Sequence, residues 1–356
     1  MQRRWLERRK SISVEAALSS SVKLALIGSL AVVAASCGGS EDSATLTPDF
    51  SVTSMSSSPD NVMSAPASTA SSDTPTSVSA DASIVNTWVG PPADTSKLPI
   101  GTSRVSLTTA SIGGLYACDA GNPGGGGVQV AGPWLDEATG TWDLSKKVSV
   151  QGEVTWPMAS YSEEVVDGTR RISSNGLPVG AVTGTFPVAA DDPAYAFDRN
   201  PNRIAASDVT ISLPLDPVKA ATPTCLGKGR VGILKNGVSL FASLDELNRD
   251  AVAYETQDKC DGHPQQTSVY HYHDVPSCIR DAAQGASTVV GFAYDGFPIV
   301  VERDANGDLP TNSDLDECHG RTSTIELDGE LIEMYHYSAT HEFPYFIGCF
   351  AGTPIQ

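Results

Sequence analysis

All six histidines of this chain fall between positions 263 and 341: His263, His271, His273, His319, His336 and His341. In Tyr270-His271-Tyr272-His273 a β-strand puts both imidazoles on one face, about 7 Å apart, and both phenols on the other. A partial echo follows in Tyr335-His336-Tyr337-Ser338, whose strand face presents Met334, His336 and Ser338. If the two strands are neighbours, His271, His273 and His336 converge, with His263 and His319 as further members of the set. Three imidazoles with open positions suit copper or zinc, and the Met334 thioether tilts the choice towards copper. Asp258, Asp274, Asp295 and Glu333 lie close enough in sequence to act as ligands or as acceptors for the second ring nitrogens. The competing chemistry needs no metal. The tyrosines are good strand formers that can pack a core while the histidines bond backbone. Alternatively, with Phe297, Tyr345 and Phe346, they line a groove for a glycan, peptide or other small ligand.

No catalytic apparatus accompanies these residues, and the reading leans against an enzyme. There is no Gly-x-Ser-x-Gly elbow and no His-Glu-x-x-His pair, since His341-Glu342 lacks the second histidine. The glycine-rich run at 121–127 lacks the Lys-Ser/Thr of a phosphate loop. The run from Asp304 to Asp308 resembles a calcium loop but has Leu309 where an EF-hand needs glycine, so it reads as a turn. Lys plus Arg total 23 against 42 Asp plus Glu, a net charge of −19 that repels nucleic acid.

The elements that must position the histidines read as mostly β, antiparallel and hairpin-rich, with short helices, in a single disulfide-stapled domain. Val148, Val150, Val154 and Trp156 alternate, as do Val209, Ile211 and Leu213. Asn236-Gly237, Asp295-Gly296 and Asp328-Gly329 fit two-residue hairpin turns. One helix is expected to open at Ser243, with Glu246 completing a capping box ahead of Leu247, Ala251 and Tyr254.

The chain has 356 residues, and its first part reads as an address. Arg3, Arg4, Arg8, Arg9 and Lys10 precede an apolar run at 24–35 that is too short to span a bilayer, so 1–36 reads as a signal peptide. Val33-Ala34-Ala35-Ser36-Cys37 resembles a bacterial lipobox, which predicts lipidation of Cys37 and anchoring to the outer face of the bacterial cell membrane. Residues 38–84, rich in Ser, Thr, Ala and Pro, read as a disordered tether. The globular region then starts with 85–145. Six cysteines remain in an exported chain, and short loops close most easily, which favours Cys260 with Cys278, Cys318 with Cys349, and Cys118 with Cys225.

Five segments carry a family resemblance: 255–264 (Glu-Thr-Gln-Asp-Lys-Cys-Asp-Gly-His-Pro), Tyr270-His271-Tyr272-His273, 291–299 (Gly-Phe-Ala-Tyr-Asp-Gly-Phe-Pro-Ile), 315–321 (Leu-Asp-Glu-Cys-His-Gly-Arg), and 334–340 with 343–352. In order and spacing they are similar to the YHYH-domain proteins, strongly from 225 to 353 and more faintly back to 146, so 146–356 is expected to be a YHYH domain. The resemblance implies an extracytoplasmic domain of no assigned reaction, with His263, His271, His273, Asp295, His319 and His336 at motif positions. Ser338 stands where family members often keep a second histidine, so the resemblance implies three histidines at most for such a site.

Overall fold

A computed structural model describes residues 76–77, 83–125, 128 and 130–355. The residues expected to form a signal peptide, the expected lipidation site Cys37, and nearly all of the stretch expected to be a tether lie outside the described residues. No helix among the described residues is long and apolar enough to cross a membrane.

Counting strands of three residues or more, a meander of β1 (Tyr161–Val166), β2 (Thr169–Ser174) and β3 (Val209–Pro214) comes first. Strand β4 (Lys219–Thr224) pairs with the last strand, β13 (Phe350–Gly352). Between them lie β5 (Arg230–Leu234), β6 (Ser239–Phe241), β7 (Gly262–Pro264), β8 (Tyr270–Tyr272), β9 (Ser287–Ala293), β10 (Pro298–Glu302), β11 (Gly320–Leu327) and β12 (Glu330–Ser338). These eight form one sheet in the order β11-β12-β10-β9-β5-β6-β8-β7, with the pair Thr76–Ser77 added beside β12. Neighbours run antiparallel except β6 with β8 and β10 with β12. The expected turns form where the chain must reverse: Gly237, Gly296 and Gly329 all have φ between 84° and 92°, which costs glycine little.

The core lies on the sheet. Ile233, Leu240, Phe292, Ile299, Tyr272 and Tyr337 are buried, each apolar side chain contributing about 2 kcal/mol by leaving water. Arg170 ties the meander to the sheet: it is ion-paired with Glu163 and Asp328 and lies 4.4 Å from the Phe292 ring centroid. Three disulfides staple the domain, Cys118–Cys225, Cys260–Cys278 and Cys318–Cys349, with Cα separations of 5.0, 5.2 and 4.6 Å. Asp304 accepts from the backbone amides of Asn306 and Asp308 and so closes a turn.

Two expected elements differ. Val148, Val150, Val154 and Trp156 do not form a strand; Val150 and Val154 make only isolated bridges, to Asp258 and Thr183. Gly152, at φ 133°, breaks the alternation between them. The helix does not open at Ser243, because the Ser243 hydroxyl donates to the carbonyls of His273 and Pro344 instead of capping. The single turn α1 (Ala251–Tyr254) starts eight residues later, capped by the Asp250 carboxylate, which accepts from Ala253 N.

Candidate metal centre

Local rules assemble the site. The antiparallel pairing of β7 with β8 sets His263 directly opposite His271. Alternation along β8 and its next residue puts His271 and His273 on one face. The ring centroids lie 4.6 Å apart for His263–His271, 4.9 Å for His271–His273 and 5.3 Å for His263–His273. One nitrogen from each lies within 4.8 Å of the others, and all three residues are buried. The Cys260–Cys278 bridge closes the loop that carries all three. Phe241 stacks on His271 at 4.1 Å.

The outer nitrogens fix the rings. His271 Nδ1 lies 3.2 Å from the Val269 carbonyl oxygen and His273 Nδ1 2.6 Å from that of Ala242. A carbonyl only accepts, so both Nδ1 atoms carry the proton and both Nε2 atoms turn inward, 3.2 Å apart. Two lone pairs at that distance require a positive charge between them, a proton or a metal ion. Glu255, just past α1, brings Oε2 to 3.4 Å from His263 Nε2 and 3.3 Å from His273 Nε2. Neither His263 nitrogen and not Glu255 Oε2 has an aligned hydrogen-bond partner.

Burial, then the neighbouring His263 and His273, drive His271 well below the ordinary imidazole range. Burial also lowers His263, against the pull of Glu255. For His273 burial is outweighed by contact with Glu255, and its value rises. Burial pushes the Glu255 carboxyl up, but the His263 and His273 charges and Lys147 more than offset this and hold it at about 2. The pocket is therefore a carboxylate among imidazoles, with Lys147 donating nearby to the carbonyl of Val252 and to Gln257 Oε1. A cation fits this donor set.

The other expected ligands lie elsewhere. β8 and β12 are not neighbours; four strands separate them, about 24 Å at the usual spacing. His336 is therefore not with the trio but beside Glu302, at 3.1 Å. Met334 lies on β12 with it. His319 is buried against Thr340 Oγ1 at 3.0 Å, and burial lowers it to about 3. Asp258 accepts from the amides of Gly184, Cys260 and Gly262 and from the Tyr270 hydroxyl, and burial raises it to about 6. Asp295 accepts from Gly352 N and the Tyr337 hydroxyl. Asp274 lies 3.9 Å from Arg280, and burial together with Asp261 raises it to about 7. Glu333 is exposed. The aromatic residues expected to line a groove, Tyr270, Tyr272, Tyr335, Tyr337, Phe297, Tyr345 and Phe346, are core residues at 5% exposure or less. Glu255 is the member that sequence reasoning missed; it opens one of the family-like segments, and only the cap of α1 shows where its side chain goes.

No curated protein sequence and no solved structure matches the chain. A family model described as "YHYH protein" matches residues 210–311, a stretch that holds Glu255 and all three clustered histidines and ends before the second Tyr-His-Tyr segment. The part of the chain that builds the histidine pocket is a YHYH domain.

Proposed function

We propose that the chain is an exported, lipid-anchored metal-binding protein whose pocket of His263, His271, His273 and Glu255 holds one copper or zinc ion. The observation that carries this is the inward convergence of ring nitrogens on a buried carboxylate. A proton between His271 and His273 relieves one contact and leaves His263 and Glu255 Oε2 without aligned partners. A divalent ion held by the three imidazoles engages His263 as well, and its charge is offset by the Glu255 carboxylate beside His263 and His273. Three imidazoles and a carboxylate suit either metal; with Met334 far off, the thioether argument for copper falls away.

The test is elemental analysis of protein made in an oxidising compartment without chelator, beside His271→Ala/His273→Ala. About one copper or zinc per chain, lost in the double variant while its circular dichroism is unchanged, is the expected result. Protein that carries neither metal and takes up neither on titration would end the reading. Anchoring is tested separately: Cys37→Ser is expected to move the protein from the membrane fraction to the soluble one.

A further inference from the structure

The two halves of the sheet repeat each other. Residues 231–240 (Val-Gly-Ile-Leu-Lys-Asn-Gly-Val-Ser-Leu) align with 290–299 (Val-Gly-Phe-Ala-Tyr-Asp-Gly-Phe-Pro-Ile), and Asp258-x-Cys260-x-Gly262 with Asp316-x-Cys318-x-Gly320. The registers coincide. Leu240 pairs in parallel with Tyr272 as Ile299 does with Tyr337, and Gly262 lies opposite Tyr272 as Gly320 lies opposite Tyr337. Side chains repeat as well. His271 Nδ1 meets the carbonyl two residues back at 3.2 Å, and so does His336 Nδ1. Asp258 accepts from Cys260 N, Gly262 N and Tyr270; Asp316 accepts from Cys318 N, Gly320 N and Tyr335. Where β5 meets β9, Ile233 lies opposite Phe292 on the twofold axis that exchanges the halves.

At the pocket the copies part. Opposite His271 stands His263; opposite His336, at the same place in the register, stands Arg321. His273 corresponds to Ser338, whose hydroxyl donates to Glu302 Oε2 at 2.7 Å. Glu302 is buried, 3.1 Å from His336 Nε2 and 3.6 Å from Arg321 Nε. It enters from the end of β10, whereas Glu255 follows α1, so each copy has its own carboxylate. Trp88 covers the guanidinium at 5.1 Å.

We infer that the chain carries two copies of one metal-pocket framework, and that in the second the Arg321 guanidinium, beside Glu302 and opposite His336, stands where the first is built to hold its ion. This rests on the metal reading of the first pocket. A fixed cation cannot leave, so the second half stays closed in every metal state and serves as the permanent support of the first. A guanidinium, always charged and weakly hydrated, suits that place better than an ammonium.

Restoring ligands tests this. Arg321→His/Ser338→His is made in the natural chain and in the His271→Ala/His273→Ala background, and zinc is counted by equilibrium dialysis. About one zinc per chain is expected in the quadruple variant, where the first pocket is disabled. A quadruple variant that binds none, with circular dichroism like the parent's, overturns the inference. The first pocket is judged separately, by the natural chain against the double alanine variant. If the histidine variants do not fold, Arg321→Ala decides: its melting temperature is expected to fall by about 5 °C or more and to be partly restored by millimolar methylguanidinium but not by sodium chloride. Equal melting with either salt overturns the inference.

Discussion

Glu255 Oε2 lies 3.3 Å from His273 Nε2 and 3.4 Å from His263 Nε2, so one oxygen touches imidazoles supplied by both sides of the β7–β8 ribbon. Glu255→Gln keeps the shape and removes the charge. Metal affinity is expected to fall by roughly 10- to 100-fold, the usual effect of losing a carboxylate at or next to a metal. Competition with a chromophoric chelator measures it, and unchanged affinity would remove Glu255 from the site.

Asp258 and Asp316 each hold two backbone amides of their own loop and a phenol, and Asp258 also accepts from Gly184 N. Replacing either by Ala leaves those donors unpaired, and each change should cost about 2–4 kcal/mol. Urea unfolding of the two variants checks this. A loss in only one would show that the loops are not equivalent in energy.

Gly262 and Gly320 lie beneath the rings of Tyr270 and Tyr335, and a Cβ at either would overlap the phenol. Ala at either position is expected to destabilise by more than about 2 kcal/mol. Gly227 has open space around it, and Gly227→Ala serves as the neutral control. Thermal melts compare the three.

Burial raises the Glu302 carboxyl, but the His336 charge, the His336 contact and Arg321 overcome that and hold it at about 2, below the ordinary 4.5. The folded state thus binds this proton more weakly than the unfolded chain does. The stabilisation, about 3 kcal/mol, is fully present above pH 4.5 and is lost as pH falls from there towards 2. In Glu302→Gln that acid-dependent loss should shrink. Stability curves between pH 6 and 2.5 test it, and an unchanged acid slope would show that Glu302 does not carry the effect.

Part of this was legible in the sequence. Strict alternation in Tyr270–Tyr272 announces two faces, Asn-Gly and Asp-Gly pairs announce the turns, and loop lengths point to the three disulfides that form. Sheet order is another matter. It depends on which hairpins dock in space, so the convergence of His336 with His271 could not be judged from either segment alone. His263 joined the cluster through the β7–β8 register, and Glu255 through a helix one turn long, too short to leave a periodic trace. Ser243 shows the limit of a capping motif: its hydroxyl found better-placed carbonyls across the fold.

The seam between β5 and β9 has a consequence for assembly. Two hairpins of matching register, which share Val-Gly and the turn glycine, meet there across a twofold axis at Ile233 and Phe292. The edge that one half offers its neighbour within the chain is therefore the edge it offers to the matching half of another chain. At high concentration during refolding, intermolecular exchange of halves competes with closure within the chain. Reciprocally swapped dimers, each with two native seams, are the by-product this architecture favours.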